Sequence, residues 1–279
     1  MNNLHKDHIA LITGANNGIG LELTRRLLQE DCQVIALIRS AFPEDDPHLR
    51  ESIASGKLRI YKADLSDFAS LRQALDTIKE KEQKIDLLFN NAGGSMNELQ
   101  FTKQGRELHF DLQTVAPYIV LMELKELLLK GSPKTVINTS SHAFMFRKQF
   151  DPDTLERPAK FTKLYGPYAA SKLALSLWSL ELAPKLASEG IRLLSVDPGG
   201  NNTIRKGKSS GIPFYLKPII KLFFPHPSKG AELLYNGAAH GKAGDFLVKG
   251  QKTKLMFAEQ SHKVLAKVSA IYKQEFRTS

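Results

Sequence analysis

Ile9-Ala10-Leu11-Ile12-Thr13-Gly14-Ala15-Asn16-Asn17-Gly18-Ile19-Gly20 decides the fold of this chain. Ile9 to Thr13 is a short apolar run of the kind that a buried parallel strand carries, and glycines end it. From Gly18 to Glu30, apolar residues recur at Ile19, Leu23, Leu27 and Leu28, which is a helical period. Strand, glycines and helix in that order form the context a dinucleotide site requires. Gly14 permits the tight turn, while Gly18 and Gly20 let backbone approach a diphosphate and let helix pack on strand. The helix amino terminus offers N–H groups and the positive end of its dipole to the phosphates. Gly14, Asn16, Asn17, Gly18, Ile19 and Gly20 are therefore the first candidate cofactor-binding residues.

Working outward, Val34–Ile38 is a second buried run, followed by a polar loop with Pro43 and Pro47. Leu58–Tyr61 reads as a strand and Asp67–Lys81 as a helix. Leu87–Phe89 is a strand opening into Asn90-Asn91-Ala92-Gly93. Gln104–Leu129 carries a long helical pattern, and Val136-Ile137 is a strand core ending at Thr139-Ser140-Ser141. Tyr168–Ala187 is helical, with Pro184 expected to perturb it and Gly190 placed to cap it. Ile191–Val196 is a strand ending at Asp197-Pro198-Gly199. Strand and helix thus alternate at least five times, which predicts an α/β fold: one doubly wound domain with a parallel central sheet covered on both faces by helices. Ligands of such sheets bind beyond the carboxyl ends of the strands, where each polar cluster falls.

The 279 residues, 42% of them hydrophobic, fit one domain spanning 1–279 with a single sizeable core. Cys32 is the one cysteine, so no intrachain disulfide forms. Met1 leads through polar and charged residues into the first apolar run without a signal-peptide pattern, and no apolar run is long enough to span a bilayer. A soluble, cytoplasmic protein without a metal site is the expectation. Net charge is +10, and residues 205–279, with 14 Lys or Arg against 4 Asp or Glu, hold the whole excess. Dense basic runs interleaved with aromatics are absent from the sequence, so no nucleic-acid site is expected; solvated lysines on terminal helices explain the charge.

An acid after the second strand would accept the ribose 2′-hydroxyl of NAD. Arg39-Ser40 stands there instead, and a guanidinium beside a hydroxyl suits the 2′-phosphate of NADP. Asp64-Leu65, after the third strand, is placed to contact adenine; its other reading is a cap for the following helix. In Tyr168-Ala169-Ala170-Ser171-Lys172, positions four apart share a helix face. An ammonium at Lys172 near the phenol of Tyr168 is expected to lower the tyrosine pKa from about 10 toward working pH. A phenol tuned in this way exchanges a proton during carbonyl reduction or alcohol oxidation.

Together these residues resemble the short-chain dehydrogenase/reductase family. The resemblance rests on T-G-x-x-x-G-x-G at Thr13–Gly20, Asp64-Leu65, N-N-A-G at Asn90–Gly93, Ser141, Y-x-x-x-K at Tyr168–Lys172 and Pro198-Gly199, in family order from about residue 7 to residue 205. Arg39, Tyr168–Ala174 and Pro227-Ser228-Lys229-Gly230-Ala231 are similar to the retinol-dehydrogenase-like branch, which mostly uses NADP on retinoids, steroids, other lipophilic carbonyls and small aldehydes or ketones. The resemblance implies a Rossmann-type fold in which Tyr168 passes the proton, Lys172 binds nicotinamide ribose and tunes Tyr168, and Ser141 rather than Ser140 holds the substrate oxygen. It implies that Asn91, Ala92 and Gly93 sit beside the adenosine ribose, and that Pro198, Gly199 and Thr203 line the nicotinamide. The family's relay asparagine aligns with Gln113, one methylene longer, which puts the water relay in doubt. Asn201 and Asn202 after the Pro-Gly turn are read as serving the nicotinamide carboxamide or as shaping a loop.

The resemblance also implies a substrate lid over about 204–227. Its stretch 212–225 is aromatic and aliphatic with two lysines and three prolines. It is read as a lid over a lipophilic substrate, as a helix resting on a membrane surface, or as a helix packed on the core. Helices 104–129 and 168–187 are the usual dimer faces of the family, so a homodimer stays open. The expectation is an NADP-dependent oxidoreductase interconverting an alcohol and a carbonyl. Its rivals are an NADP-binding regulator with little turnover, motivated by Gln113, and a nucleotide-sugar epimerase, disfavoured by the glycine spacing.

Overall fold

A computed structural model describes residues 6–202 and 224–277. The opening run becomes strand β1 (Ile9–Thr13), followed by helix α1 (Gly18–Gln29) and β2 (Gln33–Ile38). Next come α2 (Pro47–Ala54), β3 (Leu58–Lys62), α3 (Phe68–Lys81) and β4 (Leu87–Asn90). A broken helical stretch holds α4 (Leu108–Phe110), a π-helical turn (Asp111–Val115), α5 (Ala116–Glu123) and α6 (Lys125–Leu129). Then follow β5 (Thr135–Thr139), α7 (Pro167–Ser188), β6 (Arg192–Asp197), α8 (Pro227–His240), β7 (Phe246–Val248), β8 (Gln251–Lys252) and α9 (Ser261–Ile271). The sheet order is β3-β2-β1-β4-β5-β6-β7-β8, parallel throughout except for the antiparallel β7–β8 pair. Chain order reverses between β1 and β4, and a switch point of this kind opens a crevice at the strands' carboxyl ends.

Alternation along the strands divides the core between the two sheet faces. Leu11, Ile35, Leu88 and Val136 pack with Trp178 of α7 and Ile119 of α5. Ala10, Ile12, Ala36, Phe89 and Ile137 pack with Leu23 and Leu27 of α1 and with Leu234 of α8. Burying apolar side chains on both faces is what makes these strands read as continuous hydrophobic runs.

Four local expectations change. The Pro47 region is not loop: Asp46 caps α2 by accepting the Leu49 N–H, and Pro47 opens the helix where its missing N–H costs nothing. Asp67, not Asp64, caps α3, accepting from Ala69 and Ser70. Pro184 leaves α7 continuous from Pro167 to Ser188, because Leu182, Ala183 and Leu186 around it are buried and packing outweighs the lost hydrogen bond. The 104–129 pattern starts only at Leu108 and passes through a π turn just before Pro117, whose ring nitrogen has no proton for the Gln113 carbonyl. Gly190, at φ +83°, ends α7 as expected, with the Ile191 N–H returning to the Leu186 carbonyl.

Helix α9 lies along α7, burying Val264, Val268 and Ile271, and Ser261 hydrogen-bonds Glu181. Tyr272, just beyond it, packs edge-on against Tyr118 of α5 and donates to Glu123. The chain's own carboxyl-terminal segment thus covers part of the helical face expected for a dimer. Among the described residues, no helix is long and apolar enough to cross a membrane.

Candidate active site

The glycine turn is closed by contact. A Cβ on Gly20 would sit 2.2 Å from the Gly14 carbonyl oxygen and 2.5 Å from Asn91 Nδ2. Gly14 and Gly18 hold φ +67° and +51°, which β-carbon sterics disfavour. Asn17 is the N-cap of α1 but makes no side-chain cap bond, so its amide does not occupy the first-turn N–H groups. That uncapped turn fits a diphosphate. Asn16 works differently from a ligand contact: its Nδ2 reaches the Ser40 carbonyl and hydroxyl and the Ala41 carbonyl, at 2.8–2.9 Å, tying the turn to the end of β2. Ile19 lies against α8, where a Cβ on Gly230 would come 2.9 Å from its Cδ1.

Arg39, largely exposed at the end of β2, approaches Asp64 Oδ2 at 3.4 Å. Asp64 also accepts from the Ser66 N–H and hydroxyl, and these bonds, with Arg39, hold its carboxyl below the usual range against the opposing effect of burial. So loose an exposed pair leaves the guanidinium able to meet a 2′-phosphate. Leu65 is buried beside it.

The N-N-A-G stretch is a brace between strands. Thr13 Oγ1 accepts from the Asn91 and Ala92 N–H groups at 2.9 Å, and Asn91 Nδ2 donates to the Thr13 carbonyl at 3.1 Å. A Cβ on Gly93 would lie 2.4 Å from Gln113 Oε1. Gln113 is fully buried; its Oε1 accepts from the Gly94 N–H at 3.2 Å and its Nε2 donates to Ser171 Oγ at 3.3 Å. The longer amide therefore joins the β4 loop to α7.

Ser140 and Ser141 face apart. Ser140 Oγ is buried 2.6 Å from Ser176 Oγ of α7. The Ser141 hydroxyl acts on the Tyr168 phenol, lowering its pKa, and accepts the Ala143 N–H at 3.2 Å. Lys172 Nζ, buried, donates to the Thr139 carbonyl at 2.7 Å. The expected lowering of the tyrosine pKa is reversed here. Burial pushes the phenol up, the Ser141 bond pulls it back, and the Asp197 carboxylate pushes it further up. Burial also takes the Lys172 amine down to about 7, opposed by Asp197. Both shifts have one cause: a dry site disfavours the charged form of either group.

Sequence reasoning missed three neighbours of this set. Asp197, buried at the end of β6, accepts from the Gly199 N–H at 3.1 Å and pairs with His142 Nδ1 at 2.7 Å; the carboxylate raises the imidazole pKa. His109, fully buried, packs edge-on against the Tyr168 ring at 5.9 Å. Its Nε2 accepts the Met96 N–H at 2.9 Å, which assigns the ring proton to Nδ1 and the 2.6 Å bond to Glu107. His142 stands next to Ser141 in sequence, a signal that was available; the others meet only through the fold.

Pro198 and Gly199 follow Asp197 at the sheet edge, with Gly199 at φ +73°. Asn201 shapes this loop: Nδ2 donates to the Pro198 and Gly199 carbonyls, and Oδ1 accepts from the Gly230 N–H. Thr203 and residues 204–223 of the expected lid lie outside the described residues.

A family model described as short chain dehydrogenase matches residues 8–150. Mouse retinol dehydrogenase 12 is 31% identical over 193 residues, which cover 68% of this chain and 60% of that protein. Polyprenol dehydrogenase of Danio rerio is 31% identical over 261 residues, covering 88% of this chain and 79% of the relative. Among solved structures, an uncharacterized protein from Mycobacterium paratuberculosis has a TM-score of 0.71 at 23% identity, covering 97% of this chain and 95% of its own. L-sorbose reductase from Gluconobacter frateurii, complexed with NADPH and L-sorbose, has a TM-score of 0.66 at 18% identity, covering 91% of this chain and 100% of its own. The two structural likenesses speak for the fold alone.

Proposed function

The chain belongs to the short-chain dehydrogenase family, and we propose that it is an NADP-dependent oxidoreductase interconverting an alcohol and a carbonyl. The observation that carries the reading is the meeting of three residues at the carboxyl edge of the sheet: Tyr168 and Lys172 one helical turn apart on α7, with Lys172 Nζ on the Thr139 carbonyl, and Ser141, just beyond β5, acting on the phenol. Gly14, Gly18, Gly20 and the first turn of α1 would hold the diphosphate, Arg39 the 2′-phosphate, and Asn91–Gly93 the adenosine ribose. Lys172 would hold the nicotinamide ribose, and Pro198, Gly199 and Thr203 would line the ring. When bound, the nicotinamide supplies or accepts the hydride. Ser141 holds the substrate oxygen, and Tyr168 Oη gives it a proton in reduction or takes one in oxidation. Lys172, with a pKa of about 7, is partly charged at neutral pH, and its charged form favours phenolate over phenol. Gln113 and His109 act as positioning residues, one bracing the β4 loop on α7 and the other packing the phenol ring.

A lipophilic substrate is supported by the names of the relatives, retinol and polyprenol dehydrogenases. NADP is supported by Arg39, whose exposed guanidinium stands at the end of β2 with only a 3.4 Å contact to Asp64. Fluorescence titration with NADPH and NADH, then turnover of a panel of retinoid, prenyl and short aldehydes, tests the reading. We expect NADPH to bind more tightly, and Arg39→Ala to weaken NADPH about tenfold, the order of one charge-assisted contact, while leaving NADH unchanged. Equal affinity in the wild type would overturn the NADP assignment. A second reading, a nucleotide-binding regulator, is favoured by the raised phenol pKa; NADPH binding without turnover across the panel would select it.

A further inference from the structure

The chain after Ser141 and the chain before Tyr168 border an open cavity of about 480 Å³, lined by Ala143, Phe146, Arg147, Lys148, Gln149 and Tyr165. That volume lies within the range of small-molecule sites. Phe146 and Tyr165 form an edge-to-face pair at 5.9 Å, yet they are 72% and 43% exposed. These two exposed rings, five residues after Ser141 and three before Tyr168 in the chain, form an apolar wall.

Arg147 and Lys148 are the charged residues of this lining; Lys148 is exposed, whereas Arg147 is half-buried and its donors are underused. Nη1 donates to the Tyr165 and Gly166 carbonyls at 3.1 and 3.3 Å, while Nε is buried with no acceptor. Among the described residues no carboxylate pairs with it, and residues 203–223 contain no Asp or Glu. Burial alone lowers its pKa from the usual arginine value. Arg192 makes the contrast. It too has no carboxylate partner, but its Nε, Nη1 and Nη2 reach Thr135 Oγ1 and the Gly241 and Ala238 carbonyls. Arg192 is satisfied by the fold, whereas Arg147 keeps a partly desolvated charge, without a carboxylate partner among the described residues, in the lining of a cavity. Holding a guanidinium partly out of water without a counter-ion costs free energy, and an anion entering the cavity would offset that cost.

We propose that this cavity is a subsite for an anionic group, a carboxylate or sulfate, carried on the apolar body of the carbonyl substrate. Arg147 is its cation, and Phe146 and Tyr165 are its apolar wall. The proposal rests on the oxidoreductase reading and narrows its substrate class to anion-bearing lipophilic carbonyl compounds.

Calorimetric titration with 2-naphthoate and with uncharged 2-naphthalenemethanol tests it, beside NADPH fluorescence on the same samples. The expected result is wild-type preference for naphthoate by about tenfold or more, the order of one charged hydrogen bond. Arg147→Gln should bring the two ligands to parity, and Arg147→Lys should keep part of the preference. Phe146→Ala, at an exposed position, should weaken both ligands and preserve their ratio. Parity in the wild type, or an unchanged ratio in Arg147→Gln, overturns the proposal; if that variant does not fold, the wild-type ratio and Arg147→Lys decide. Arg147-dependent sedimentation with phosphatidylserine vesicles, without naphthoate binding, would put a lipid headgroup there and also overturn it. Loss of NADPH binding in the wild type would instead strike the oxidoreductase reading.

Discussion

Around Gly14 and Gly20, polar atoms pair with backbone close by: Asn91 Nδ2 with the Thr13 carbonyl, and Thr13 Oγ1 with two N–H groups of the β4 loop. Around Tyr168, ionisable groups are packed into a dry space, with Lys172 on a carbonyl and Asp197 facing both the phenol and the amine. The first region is held by steric closeness and neutral hydrogen bonds, and nothing in it titrates near neutrality. The second is held by a balance of burial against charge, so its state moves with pH. One edge of one sheet thus carries a binding end that is rigid by shape and a reacting end that is adjustable by protonation.

Breaking the reacting end should give the largest effect. Tyr168→Phe removes the proton donor and should lower kcat/KM by about 10³-fold, within the range for general acid–base catalysis, while NADPH titration stays as in the wild type. Turnover retained in Tyr168→Phe would put the proton elsewhere. At the binding end, Gly20→Ala places a methyl on backbone that cannot move aside, and denaturant unfolding should show a loss of about 2–3 kcal/mol together with loss of NADPH binding. That loss should be the same at pH 6 and pH 8, which distinguishes steric from electrostatic damage.

Lys172 sharpens the comparison by its pH slope. Its folded pKa of about 7 lies below the ordinary lysine value of 10.5, so between those limits the unfolded chain binds more protons and stability rises with pH. Lys172→Met should flatten that rise in chemical denaturation measured from pH 7 to 10; an unaltered slope would mean that the amine is solvated. His142 should act weakly and with the opposite sign. Asp197 raises its folded pKa, so its contribution is full below about pH 6.5 and is lost as pH climbs through the raised value. His142→Gln should remove that small decline from the melting temperature between pH 6 and 8.

The glycine turn, the strands and the strand-end motifs were legible because each shows as a local residue pattern, even where its contacts are distant, as Asn91 and Ala92 are from Thr13. A period of two or of 3.6, and a position that only glycine fills, are written locally. Where one residue had to outweigh others, the reading slipped. Pro184 inside α7 and Pro47 at the start of α2 look alike as helix breakers, yet packing overrides one and position excuses the other. Gln113 was visible as a departure, but its bonds to Gly94 and Ser171 join segments 19 and 58 residues away. Asp197 and His109 reach the site across similar separations, so neither stood out.

By itself, the order of short apolar runs, glycines and Tyr168–Lys172 determined a doubly wound sheet with its chemistry along one edge. That follows because strand burial and turn stereochemistry are local properties of the chain. The tertiary structure alone decided the charge state of that chemistry. It raised the phenol, lowered the amine, brought the Asp197 carboxylate to act on both and left Arg147 Nε buried without an acceptor. The energy of a charge depends on how much water the rest of the fold leaves around it, and no stretch of sequence specifies that alone.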